Sequence, residues 1–137
     1  GLAHRLSTSF YHQGSDIMLY AASSEEAGLR GAKRFALHIQ NNLASQYDQV
    51  YAIFVDGICS EKHIAFVKRE LTLGAKHDPM LLKCAENAAN HLQIPFKKVI
   101  IPFGATDASA FTLAGIRSIA ILAQDTTTLV HNYHTRE

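Results

Sequence analysis

Short apolar runs alternate along this chain with segments whose apolar residues recur every three or four positions, and few architectures accept that alternation. Asp16 to Ala22 predicts a buried strand. Leu29, Ala32, Phe35, Ala36, Ile39 and Leu43 follow at helical spacing, so Leu29 to Ser45 is expected to be a helix. Val50 to Val55 is a second strand, ending at Asp56-Gly57, and Ile64 to Arg69 is a weaker third. Asp78-Pro79 opens a helix, with Asp as N-cap and Pro at the first helical position. Leu81, Ala85, Ala88 and Leu92 carry that helix to a stop before Pro95. Lys98 to Pro102 is the fourth strand. Thr106 or Asp107 caps a short helix that ends at Gly115, and Arg117 to Leu122 is the fifth strand. Strands that are apolar throughout are covered on both faces. The expected fold class is therefore α/β: three layers, α/β/α, around a mostly parallel central sheet. The 137 residues form one domain, long enough for a substantial core.

Charge and cysteine usage narrow the function. The net charge is +1, and no basic cluster exceeds two adjacent residues, which argues against nucleic-acid binding. No apolar run approaches membrane-spanning length. Cys59 and Cys84 are too few and too far apart for a disulfide framework or a CxxC site, and both are expected to be buried as small apolar residues. Cys59 follows a strand but has no base in sequence reach, so it is not read as a nucleophile. A serine-hydrolase elbow, GxSxG, is absent.

In layered α/β sheets, sites lie beyond the carboxyl ends of strands. The residues there are polar. Glu25 and Glu26 follow the first strand, Asp56 the second, Thr106 and Asp107 the fourth, and His131 and His134 the fifth. Hard carboxylates with imidazole suit zinc or a similar divalent ion. Adjacent residues on an extended segment point in opposite directions, so one glutamate can bind an ion while the other faces a water. The same pair also suits a solvated first helical turn, where acids are favoured.

Several runs together resemble the M28 family of zinc aminopeptidases, with some likeness to the related M42 family. They are Ser24-Glu25-Glu26-Ala27-Gly28-Leu29-Arg30-Gly31-Ala32, Phe54-Val55-Asp56, Gly104-Ala105-Thr106-Asp107-Ala108-Ser109-Ala110-Phe111, Ala114-Gly115-Ile116 and Tyr133-His134-Thr135. The resemblance implies an exopeptidase acting on peptides with a free N-terminus, using two zinc ions. By position it makes Glu25 the general base, Glu26 and His134 ligands of one zinc, and Asp56 a ligand of the other. Asp107 falls at a polar position beside the site and is read as N-cap and outer partner of the ligands. His131 lies off the motif and is read as a loop residue. His38, His63, His77 and His91 are taken as surface or internally satisfied histidines.

The family's upstream His-x-Asp motif and its bridging aspartate have no match here, and in Asp56-Gly57-Ile58-Cys59 the aspartate lacks the Met that more often follows it in the family. The chain thus carries about half of a two-zinc site. It reads as an incomplete zinc-exopeptidase-like domain. Leu2, Leu6 and Phe10 look like the tail of an amphipathic helix, and nothing terminates the chain at Tyr133–Glu137. Weak or absent zinc binding, no turnover by these residues alone, and self-association through uncovered apolar surface are the corresponding expectations. Two other readings stay open. One is a metal-free binding or dimerisation module; the other is a single-zinc acyltransferase of the glutaminyl-cyclase type.

Overall fold

Alternation within the strands decides the layers. The computed structural model describes His4 and residues 14–58 and 61–123. Its strands are β1 (Tyr51–Asp56), β2 (Ile64–Glu70), β3 (Ala75–Lys76), β4 (Lys97–Ile101) and β5 (Arg117–Ala123), and its α-helices are α1 (Arg30–His38), α2 (Pro79–His91) and α3 (Asp107–Leu113). Successive side chains on a strand face opposite sides. Ala65, Val67, Ala120 and Leu122 therefore pack towards α3 with Ala108, while Phe66, Ile119 and Ile121 meet Leu81, Leu82 and Ala89 of α2. On the first side α1 joins α3 through Leu29, Ala32, Ala36, Ile39, Ala110 and Phe111. Helices thus cover both faces, giving the expected three layers.

The helix after Leu29 runs past α1 as a wider π turn at Ile39–Leu43 and a 3-10 turn at Ala44–Gln46, so the helical stretch ends one residue beyond the expected Ser45. Asp78 caps α2 as its sequence predicts, accepting from the Leu81 amide at 2.9 Å, with Pro79 first in the helix. Cys84 is a correction: it is exposed, because Leu81, Leu82 and Ala89 occupy the buried side of α2. Cys59 lies outside the described residues.

The sheet is mixed. β1 pairs parallel with β5, and β2 parallel with β4, but β2 is antiparallel to β5. Ala65 and Phe66 pair with both β4 and β5, whereas Arg69 and Glu70 pair with both β4 and β3. A strand has two edges, so β4 lines one edge of β2, while β5 and then β3 share the other. The reversal has a simple origin: only residues 57–63 join β1 to β2, too few for the crossover that would return the chain in the same direction. The parallel expectation holds for β1 with β5 and for β2 with β4; it fails between β5 and β2, and again where β3 pairs antiparallel with β2.

Asp16–Ala22 is the second correction. No strand forms there, and Ile17, Met18 and Leu19 are exposed at 49%, 61% and 56%. An apolar run becomes a strand only with a hydrogen-bonding neighbour, and among the described residues the outer edge of β1 has none. Side chains hold the segment instead. Tyr20 stacks on Phe35 with centroids 4.4 Å apart, and the Tyr47 hydroxyl donates to Asp16 Oδ2 at 2.8 Å. On the α2 side of β1, Tyr51, Ile53 and Val55 are also exposed, so this strand is not covered on both faces as its apolar run predicts.

Candidate active site

Glu25 and Glu26 sit in a tight turn rather than on an extended segment. The Glu25 carbonyl accepts from the Gly28 and Leu29 amides at 3.0 and 2.8 Å, and the Ser23 carbonyl accepts from Gly31 at 3.2 Å. Gly31 permits this approach, since a methyl group there would overlap the Ser23 carbonyl. Ser24 and Leu29 take φ of 55° and 59°, left-handed backbone that is uncommon for non-glycine residues. Glu25 is half-buried and Glu26 exposed. Both border one cleft of about 280 Å³, whose walls include Leu29, Lys33, Thr72, Leu73, Gly104 and Ala105. Because the pair sits in a turn, the alternation expected of an extended segment does not apply to it.

Asp56 ends β1, level with Leu122 of β5. β4 ends at the other end of the sheet from β1 and β5, so the strand-end rule by itself does not bring Asp107 to Asp56. The chain after Ile101 does so, by running across to α3. There Asp107 is 7% exposed, its Oδ1 has no hydrogen-bond partner, and burial together with the charge of Asp56 pushes its carboxyl up. Asp107 is therefore not the cap: Thr106 is the N-cap residue, and even its hydroxyl is turned elsewhere. Burial, then the charge of Asp107, likewise raises the Tyr20 phenol. His131 and His134 lie outside the described residues, so the meeting of Glu26 with His134 stays an expectation.

The donor chemistry here, carboxylate oxygens beside a buried unpartnered carboxylate atom, fits a hard or borderline divalent ion. Among the described residues, however, no three of His, Cys, Asp or Glu come together as a ligand set. No helix among them is long and apolar enough to cross a membrane.

Sequence reasoning missed the most elaborate polar feature beside the cleft. Glu70, fully buried at the end of β2, accepts from the Thr106 amide and Ser109 hydroxyl through Oε2, at 2.7 and 2.6 Å. Its Oε1 accepts from the Thr106 hydroxyl at 2.7 Å and contacts His77 Nε2 at 2.8 Å. His77, 2% exposed, is an internal histidine and not a surface one. A signal was available: Thr106, Ser109 and Thr112 recur every three residues from the N-cap along a helix whose only other polar residue is Asp107, which calls for a polar partner inside the core.

Burial pushes the Glu70 carboxyl up, but hydrogen bonds from His77, Ser109 and Thr106 outweigh it and leave it below its ordinary value. A carboxyl lowered by folding stabilises the fold above its unfolded pKa, about 4.3. That contribution is lost as pH falls from there through the lower folded value. Urea midpoints measured downwards from neutral pH should therefore drop steeply below about pH 4.3, and Glu70→Gln should flatten that acid limb. Asp107 has the opposite sign: its raised carboxyl penalises the fold at neutral pH, and Asp107→Asn should raise the midpoint there. An unchanged acid limb in Glu70→Gln would refute the pairing.

Comparison with known proteins points the same way. Residues 1–137 match Peptidase family M28. No curated protein matches the chain. Among solved structures, the Pyrococcus horikoshii TET1 peptidase, which can assemble into a tetrahedron or a large octahedral shell, is similar at 25% identity and TM-score 0.53, over 74% of this chain and 30% of that one. The zinc aminopeptidase BSAP of Bacillus subtilis shares the fold at 21% identity and TM-score 0.61, over 85% of this chain and 28% of its own. A TET aminopeptidase from the marine sediment archaeon Thaumarchaeota archaeon SCGC AB-539-E09 shares it at 24% identity and TM-score 0.54, over 74% and 30%. The chain thus spans less than a third of each of these structures.

Proposed function

This chain belongs to Peptidase family M28, and we propose that it carries the base and part of the ligand set of a zinc aminopeptidase that removes residues from peptides with a free N-terminus. The observation that supports this most is the shared cleft: Glu25 and Glu26 border one opening with Gly104 and Ala105, and Asp107, whose carboxyl feels the charge of Asp56, follows two residues later.

In this reading Glu26 and His134 hold one zinc and Asp56 the other. Zinc, when bound, supplies a Lewis acid that polarises the scissile carbonyl and acidifies water. Glu25 takes a proton from the attacking water and hands it to the departing amine. Its turn keeps that carboxylate at the cleft with little backbone freedom. Asp107 lies near enough to Asp56 for the charge of Asp56 to raise its carboxyl, which marks it as a neighbour of the proposed ligand.

A catalytic zinc takes three protein ligands, and the assigned residues supply at most two to either ion. The expected result for the 137-residue chain is therefore zinc affinity weaker than about micromolar and no turnover. Calorimetry with zinc and an assay on aminoacyl-nitroanilides check this. Tight stoichiometric binding together with turnover would overturn the ligand assignment.

A further inference from the structure

The buried carboxylate of Glu70 is spent on one short piece of backbone. Three of its four hydrogen bonds come from Thr106 and Ser109, in and just before the first turn of α3. Thr106 is the N-cap residue of that helix but makes no side-chain cap. Its amide and hydroxyl both go to Glu70 instead. A carboxylate removed from water carries a large desolvation cost, which such donors offset only in fixed geometry. Asp107 lies between the two anchors, and Gly104 and Ala105, which wall the cleft, lie immediately before them.

Behind Glu70 the bonding continues. His77 Nδ1 meets Thr112 Oγ1 at 2.9 Å, Thr112 meets Ser118 Oγ at 2.6 Å, and the Ser118 hydroxyl donates to the Ala108 carbonyl at 2.9 Å. Each contact needs one hydrogen. The two hydroxyls supply one each, and a carbonyl at the far end supplies none. Glu70 and His77 must therefore hold two hydrogens between them, one of them on Nδ1 towards Thr112. The pair is then neutral as a unit, so it anchors α3 without adding negative charge beside Asp107 and Asp56. The network ties β2, the residue after β3, α3 and β5 into one assembly.

We propose that Glu70, backed by His77, is a positioning residue of the candidate site: it sets where Asp107 and the Gly104–Ala105 wall stand. The functional part of this rests on the peptidase reading of the cleft. The test is nuclear magnetic resonance on the isotope-labelled chain, with Glu70→Gln, Ser109→Ala and, as a control, Ile119→Ala. Ile119 is fully buried on the opposite face of the sheet, against α2. In Glu70→Gln, the Gly104, Ala105 and Asp107 amide resonances should shift. Exchange of the Thr106 amide should speed by about tenfold or more, as expected for loss of a charge-assisted bond. Ser109→Ala should shift the same amides less, and it carries the test if Glu70→Gln fails to fold. Ile119→Ala should lower stability yet leave those amides in place, whereas a merely structural role for Glu70 predicts that the two variants affect them alike. In the unaltered chain the His77 ring should show a hydrogen on Nδ1. Unmoved amides in the folded Glu70→Gln chain, or in Ser109→Ala where Glu70→Gln does not fold, or a bare Nδ1, would overturn the proposal. Neither metal nor turnover enters these measurements, so shifted amides beside a peptidase assay that fails in a ligand-complete domain would sink only the peptidase reading.

Discussion

Glu25→Gln, made in a domain whose zinc ligands are complete, is expected to keep its metal and lose turnover by about 10²–10⁴-fold. The substitution keeps the shape of the side chain and removes its capacity to take a proton. The structure gives a reason to expect a clean separation of the two effects. The backbone at Glu25 is fixed by two amides on its carbonyl, so an isosteric change leaves the turn intact. Under the proposed assignment Glu26, the next residue, keeps its carboxylate for the ion. Metal content measured by atomic absorption beside kcat and KM decides the matter. A fall in kcat with zinc retained supports Glu25 as the base. Lost zinc with unchanged activity per bound ion would exchange the roles of Glu25 and Glu26.

How far such roles can be read from sequence depends on the range of the interaction. The helix after Leu29 and the Asp78-Pro79 start are set by spacing and capping within a few residues, and both form where the sequence places them. Strands β1, β2, β4 and β5 are legible as apolar runs. Their direction is not, because it depends on which runs become neighbours. The run Asp16–Ala22 illustrates the limit: it has strand composition but no partner edge, so its Ile17, Met18 and Leu19 stay exposed. Glu70 fails for a related reason. A glutamate at the end of a strand, next to Arg69, reads as solvated, and three of the four hydrogen bonds that satisfy it come from residues 36 and 39 positions away. The Glu25-Glu26 pair was visible because a motif carries it; the cleft it shares with Gly104 and Ala105 required the fold.

The largest loss of stability should come from Phe111→Ala. Phe111 is 2% exposed on α3, and its ring meets Phe54 edge-on at 4.8 Å, with Phe35 at 6.2 Å and Tyr20 at 6.3 Å. These four rings come from β1, α1, α3 and the segment before the Glu25 turn, so the ring of Phe111 is where those parts adhere. Removing a buried phenylalanine ring costs about 3–5 kcal/mol, from lost transfer energy and the cavity left behind. Domains are stable by only about 5–15 kcal/mol, so this is a large share of the total. At seven residues, α3 is too short to persist by its own backbone bonds and depends on that packing. The expected result in urea is a much lower midpoint with an unchanged slope, the signature of lost stability without a change in the surface exposed on unfolding. Phe111→Leu, which refills most of the space, should cost markedly less. Since α3 also carries Asp107, the same variant should loosen the wall of the cleft before the sheet melts, seen as faster amide exchange at Thr106 than at Ile119. A loss below about 1 kcal/mol would show that the ring cluster does not bear the weight assigned to it.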